Sequence, residues 1–162
     1  MNHYTEKDNT NEHIAILGFA QPCSDYNQVA AYSAGAALAK KGYIVTAGNI
    51  TSTFNSAFRG AKDFEGKTLA VLEEYTELNN TSYCDVVISV KDTGEKHRMI
   101  AELCAGAIII GGGNGTKHLE SEFLKRNKPV VALEGTGGIT RTELDKRTQS
   151  AKTIPDTLTL IH

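Results

Sequence analysis

Short unbroken apolar runs alternate along this chain with longer stretches in which apolar residues return every three or four positions. The runs are HIAILGFA (13–20), YIVTAG (43–48), KTLAVLEE (67–74), DVVISV (85–90), AIIIGGG (107–113) and KPVVALEG (128–135). A strand covered on both faces has no polar side, so it reads as a continuous run and not as an alternation. The first periodic stretch, YNQVAAYSAGAALAKKGY, puts Val29, Tyr32, Ala36, Leu38 and Ala39 at helical spacing. Lys40, Lys41 and Gly42 close it, cations and a glycine being common at helix C-termini. Residues 49–66 predict a second helix with Phe54, Ala57, Phe58 and Ala61 on one face, ended by Gly66. Further helices are predicted over 92–106, ending at Gly106, over 114–127 and over 138–151, and TLTLI (157–161) reads as a short last strand. Strands and helices in this order predict one doubly wound α/β domain, Rossmann-like, with a mostly parallel six- to seven-stranded sheet and helices on both faces. The polar segment MNHYTEKDNTNE (1–12) reads as a flexible tail ahead of a domain spanning 13–162, with no apolar segment after it to make a signal peptide.

Composition narrows the function classes. The chain has 162 residues, 40% of them hydrophobic, and a formal net charge of -2. That suits one globular domain with a sizeable core, and it offers no cationic excess for nucleic acid or a membrane surface. No apolar run approaches the length that crosses a bilayer. Cys23, Cys84 and Cys104 are odd in number, far apart and form no C-x-x-C pair. They predict neither a disulfide framework nor a zinc site, and fit reduced thiols in the cytoplasm. No metal site is expected.

In a doubly wound sheet, ligands sit beyond the C-terminal ends of the strands. Here those loops are GFAQPCSD (18–25), GNITST (48–53), the segment after Val90, GGGNGT (111–116) and EGTGG (134–138). Four of the five residues 111–115 are glycine, between an apolar strand and a helix. Glycine lets backbone N–H groups approach a ligand closely, and a helix N-terminus leaves such groups unpaired and partly positive. The segment Gly111, Gly112, Gly113, Asn114, Gly115, Thr116 therefore predicts a phosphate cradle, with Thr116 as a hydroxyl donor. Gly18, Phe19, Gly48, Asn49, Ser52, Thr53, Gly135, Thr136 and Gly137 are candidate contacts in the neighbouring loops, although one of the residues in 49–53 must also cap the following helix. Two common phosphate motifs fail. Thr116 precedes Lys117, where a P-loop needs lysine first, and Thr116 stands where a dinucleotide fingerprint needs its third glycine. ATP hydrolysis and nicotinamide chemistry are thus disfavoured.

GGGNGT after an apolar strand resembles the PGGxGTxxE signature of the Lonely Guy (LOG) family, cytokinin-activating phosphoribohydrolases of the SLOG superfamily. The glycine at Gly111, where that signature has proline, resembles a shorter branch that includes the molybdenum cofactor carrier proteins. VAAYSAGAALAKKGYIVTAG, NSAFRGAKDFEGKTLAVL and KPVVALEGTGG are similar to the group's segments in the same order. The resemblance implies a nucleotide, phosphate or molybdopterin-type ligand on the glycine loops, no other required cofactor, and a homodimer or homotetramer. In the hydrolases, the signature glutamate and an arginine on the preceding helix carry cleavage of an N-glycosidic bond. Here the glutamate position holds Leu119, with Glu120 one residue on, and the arginine position holds Lys96, with Arg98 two residues on. One residue is about 100° of helix rotation, so Glu120 should point elsewhere. Leucine cannot stabilise an oxocarbenium-like ribose or activate water. Two readings follow: a protein that binds a phosphorylated small molecule, a nucleotide or a pterin phosphate, without cleaving it; or an active hydrolase of nucleoside 5'-monophosphates using Glu120, Lys96 and Arg98. A module for single-stranded nucleic acid is a third and weakest reading.

Overall fold

Seven strands lie in one sheet, every neighbouring pair parallel, in the order β4-β3-β2-β1-β5-β6-β7. The computed structural model describes residues 11–19, 23–140 and 142–161; the first ten residues of the expected tail lie outside them. The elements are β1 (His13–Gly18), α1 (Asp25–Lys40), β2 (Ile44–Ala47), α2 (Ser52–Asp63), β3 (Lys67–Glu73), β4 (Val86–Val90), α3 (Thr93–Leu103), β5 (Cys104–Ile110), α4 (Asn114–Lys125), β6 (Val130–Leu133), β7 (Gln149–Ala151) and α5 (Ile154–Ile161). The chain winds outward from β1 to β4, then returns to lay β5 on the other side of β1. That reversal is the topological switch point, and it opens a crevice between the loops leaving β1 and β5.

The two faces of β1 and β5 divide the core. Ile14, Ile16, Ile108 and Ile110 point to one side, where α1, α2 and α5 pack. Ala15, Leu17, Ala107 and Ile109 point to the other, with Ile100 of α3 and Leu119 and Phe123 of α4. Strands buried on both sides account for the continuous apolar runs. Phe54, Ala57, Phe58 and Ala61 of α2 are all buried, as their spacing predicts, whereas Val29 of α1 is 64% exposed. Helices α1 and α2 touch through glycine. A Cβ on Gly35 would lie 1.9 Å from the Ala57 carbonyl oxygen, and one on Gly60 would lie 2.0 Å from that of Tyr32. Among the described residues no helix is long and apolar enough to cross a membrane.

Three expectations are corrected. Helix α3 ends at Leu103, not at Gly106, because Cys104 is already extended and Gly106 pairs with Ile14 in the sheet. The Lys128 ammonium donates to the carbonyls of Ala101 and Glu102 at 2.6 and 3.0 Å, so a side chain ends the helix in place of a glycine. The predicted helix over 138–151 is only a 3-10 turn at Gly138–Thr140, followed by loop and then β7. Here Asp145 turns back on its own chain, accepting from the Arg147 N–H at 2.8 Å, while Asp145 N–H and the Thr148 hydroxyl both donate to Glu120. Glu120, a partner outside the segment, thus takes the Asp145 N–H that a helical ladder would use. Finally, TLTLI lies in α5 and not in a strand. Thr153 caps that helix, its hydroxyl accepting from Asp156 N–H at 3.2 Å, and Pro155 occupies its first turn.

Candidate functional site

The crevice at the switch point encloses about 290 Å³, close to the lower end of the range for small-molecule sites. Its inner walls are apolar, from Ile16, Leu17, Phe54 and Leu119. Polar groups sit at its edges: Asn49 after β2, Lys96 and His97 on α3, and Gly113, Gly115 and Thr116 where α4 begins.

The glycine loop owes its shape to backbone torsion and to a buttress beneath it. Gly111 and Gly112 have φ of +77° and +100°, values that side chains rarely adopt. A Cβ on Gly112 would also meet the Thr116 hydroxyl at 2.4 Å. Below them, the Gly111 N–H donates to the Thr136 hydroxyl at 2.9 Å, which in turn donates to the Leu133 carbonyl at 2.7 Å. The Asn27 amide donates to the Thr136 carbonyl at 2.8 Å, and Ile139 N–H to the Gly112 carbonyl at 3.1 Å. The loop therefore enters α4 already rigid. At that entry, Gly113 provides no side-chain cap. Helices α1 and α3 differ, being capped by Ser24 and Asp92, whereas α2, against expectation, has no side-chain cap at Thr51 either. The first N–H groups of α4 thus open beside the crevice without a side-chain acceptor, and they carry the positive end of the helix dipole.

The sequence-predicted residues divide into two groups. Gly18, Phe19, Gly48, Asn49, Lys96, Gly113, Gly115 and Thr116 come together around the crevice. Asn49 already uses its carbonyl oxygen, which accepts from the N–H groups of Ile50 and Thr51 and from the Thr51 hydroxyl. It thereby shapes the turn into α2 and leaves its NH2 group for other contacts. Thr116 is a correction in detail: its hydroxyl donates to the Gly18 carbonyl at 3.1 Å, tying α4 to the end of β1, so this O–H is not a spare donor.

The second group lies elsewhere. Ser52 and Thr53 turn to the Cys23 sulfur, at 3.2 and 3.1 Å, and do not line the crevice. Gly135 and Gly137 border a separate hollow, and Thr136 is the buried buttress, so EGTGG lies behind the glycine loop and outside the crevice lining. Gly111 lies under the cradle; Gly112 and Asn114 border a hollow on its far side. Arg98 is exposed on α3, outside the crevice lining. Glu120 is 3% exposed, and its Oε2 accepts from the Thr148 hydroxyl and from Asp145 N–H at 3.2 Å. One residue of helix rotation separates it from Leu119, which is the residue that faces the crevice. The catalytic roles expected of Glu120 and Arg98 therefore have no geometric basis at this crevice.

A sequence reading passes over Glu73 and takes His97 only as part of the cationic run Lys96, His97 and Arg98 at a helix start. Glu73, at the end of β3, holds the Lys96 ammonium at 3.0 Å, and Lys96 also donates to the Gly48 carbonyl at 3.0 Å. Burial alone would raise the Glu73 carboxyl, but hydrogen bonds from Thr93, its own backbone and Lys96 outweigh it and hold the group below its ordinary value. His97 lines the crevice with its ring centroid 6.5 Å from that of His118 on α4. Burial first, then the charges of Lys96 and His118, lower its pKa, with Glu73 and Glu122 opposing. The thiols of Cys84 and Cys104 are pushed up to about 11 and about 12 by burial, so neither is a nucleophile at neutral pH.

His97 and His13 give a stability prediction. Both have folded pKa values below the ordinary 6.5, chiefly through burial. The unfolded chain then binds more protons than the folded one just below that value, so stability falls as pH drops from 7.5 to 5.5. Glu73 and Asp85, held low, add their losses only near and below their ordinary values of 4.5 and 3.8. Melting curves across pH 5.5–7.5 should slope downward toward acid, and His97→Gln should flatten that slope. An unchanged slope in the variant rejects the assignment.

A family model described as the SLOG cluster4 family matches residues 11–159. The chain belongs to that family. An uncharacterized protein of Archaeoglobus fulgidus is 30% identical over 122 residues, covering 75% of this chain and 79% of its own. Among solved structures, the molybdenum cofactor binding protein from the phototrophic bacterium Rippkaea orientalis superposes with a TM-score of 0.83 at 22% identity, over 95% of this chain and 97% of that one. The molybdenum cofactor carrier protein of Chlamydomonas reinhardtii superposes with a TM-score of 0.79 at 24% identity, over 93% and 95%. At these identities the structural likeness establishes a shared fold. This SLOG cluster4 member holds that fold's switch-point crevice with a leucine where the hydrolase signature has its glutamate.

Proposed function

We propose that this chain binds a phosphorylated heterocyclic small molecule, a molybdopterin-type pterin or a nucleotide, in the crevice between β1 and β5, and does not cleave it. The observation that carries the reading is the start of α4. A helix without a side-chain cap at Gly113 opens onto an apolar crevice, and Leu119, not a carboxyl group, faces inward. The phosphate rests against the first N–H groups of α4, where hydrogen bonding and the helix dipole act together. The flat ring lies between the apolar walls. The two similar solved structures are named for binding or carrying the molybdenum cofactor, which accords with the molybdopterin-type ligand of this reading. On this reading residues 13–162 form the binding unit, working in the cytoplasm as a homodimer or homotetramer.

Thermal melting against AMP, GMP, CMP, UMP and a pterin phosphate tests it. A ligand at 100 times its Kd adds about 2.7 kcal/mol, which raises Tm by roughly 5–10 °C for a domain of this size. No shift with any of them rejects the proposal, and release of free base rejects its non-hydrolytic part. Gly115→Ala separates binding from folding. Its Cβ would have no atom within 4 Å, so the structure accommodates it, and alanine favours the helix by up to about 1 kcal/mol. The same methyl group projects at the mouth of the cradle. The variant should melt no lower than the wild type yet bind ligand at least tenfold more weakly.

A further inference from the structure

Among the described residues Lys96 is the only lysine on the crevice wall, but its charge is already answered. Its ammonium lies 3.0 Å from Glu73 Oε2, and the two side chains are 13% and 11% exposed. Glu73 is fixed in turn by the Thr93 hydroxyl, which donates to the same Oε2 at 2.7 Å. A buried ion pair presents little net charge to its surroundings, and a third charge brought beside it meets nearly cancelling attraction and repulsion. An ammonium also has three N–H donors. Glu73 and the Gly48 carbonyl take two of them. The third remains for the crevice, among the apolar side chains of Ile16, Phe54 and Leu119. A donor of that kind, strong but without local net charge and set in apolar walls, suits a neutral acceptor on a flat ring and not a phosphate dianion.

We infer that the Glu73–Lys96 pair is the ring-recognition element of the site: Lys96 donates to a carbonyl oxygen of a bicyclic heterocycle, while the phosphate is held separately at the start of α4. Guanine and pterin rings share the required chemistry, a ring carbonyl next to a ring-nitrogen acceptor, the edge that lysine reads on guanine. Adenine presents an amino group in that place and is disfavoured. Glu73 is a positioning residue, setting the direction of Lys96 and cancelling its charge. The inference rests on the binding reading above and adds which end of the ligand meets which wall.

Calorimetric titration of the full chain with GMP, guanosine, pterin, AMP and ribose 5-phosphate tests it, on wild type, Lys96→Met and Glu73→Gln. Lys96→Met should weaken guanosine, pterin and GMP at least tenfold, and ribose 5-phosphate far less, through repulsion by the Glu73 carboxylate that it leaves unpaired. Glu73→Gln exposes an uncompensated ammonium and should strengthen ribose 5-phosphate binding, with a steeper dependence on salt. Guanosine and pterin, read against each other, tell which ring is preferred. Equal weakening of ribose 5-phosphate and GMP in Lys96→Met overturns the inference, because Lys96 would then be a phosphate ligand. Unchanged binding of every compound in that variant overturns it too. If guanosine binds as tightly as GMP and ribose 5-phosphate does not bind, the phosphate reading fails while ring recognition stands. If wild type binds no compound with a ring, both fail.

Discussion

Gly35→Ala should lower the stability of the protein by about 2 kcal/mol, a fall of roughly 4–8 °C in Tm, although it replaces a helix-interior glycine by the best helix former. On an isolated helix the same change would stabilise by about 1 kcal/mol. Here the added Cβ would lie 1.9 Å from the Ala57 carbonyl oxygen and 2.8 Å from its carbon. These are backbone atoms of α2, so no rotamer change relieves the clash, and α1 and α2 must move apart. Their contact is the most extensive between any two elements, so the separation loosens much of the packing on that face of the sheet. Gly60→Ala meets the Tyr32 carbonyl at 2.0 Å in the same interface and should cost a similar amount. Once one substitution has opened the gap, the second finds room. The double variant should therefore lose less than the sum of the single losses. Chemical denaturation of the three variants measures this, and a gain in stability for either single variant would falsify the account of this interface.

Glu120→Ala should be the most damaging substitution near the site and yet spare binding. It removes the one side chain that accepts from both the Thr148 hydroxyl and Asp145 N–H, in a place where Glu120 is 3% and Thr148 9% exposed. Leaving two buried donors unpaired and opening a cavity costs about 3 kcal/mol, or roughly 6–12 °C in Tm. The loop that Glu120 holds leads directly into β7, so the expected lesion is loosening of that edge of the sheet. Ligand affinity measured well below the melting transition should stay within about twofold, because Leu119 and not Glu120 faces the crevice. Glu120→Gln keeps a carbonyl acceptor and should cost about 1 kcal/mol. A double-mutant cycle with Thr148→Val should show coupling between the pair. The opposite pattern is base release from a nucleoside monophosphate that disappears in Glu120→Gln at unchanged Tm. That pattern would restore the hydrolase reading.

Much of the architecture was legible because its causes are local. The runs at 14–17, 107–110 and 130–133 are apolar throughout, as strands covered on both faces must be, and Phe54, Ala57, Phe58 and Ala61 fall on one helical face. In two of the three segments read wrongly, the end of α3 and the stretch before β7, a partner distant in sequence decides. The stretch before β7 reads as a helix, but Glu120 draws away the Asp145 N–H and the Thr148 hydroxyl. TLTLI alternates like a strand, but Thr153 and Pro155 start a helix, a signal present in the sequence and outweighed there by alternation. Gly106 resembled a helix terminator, yet a Cβ there would meet the Pro129 carbonyl and Ile161 at 3.0 Å, so close packing against the entry to β6 and against α5 explains it.

The site divides in the same way. The sequence by itself determined that a glycine-dense turn joins a buried strand to a helix, and that the hydrolase glutamate is displaced by one residue. Both follow from residue type and from the helix period, which act within a few residues. Only the tertiary structure decided where each side chain goes. It set Thr136 beneath the cradle, Glu120 into the β7 loop and Glu73 against Lys96, pairs brought together across 25, 28 and 23 residues of chain. Burial forces each of these polar groups to find a partner, and which partners lie within reach depends on the winding of the sheet, which no local pattern records.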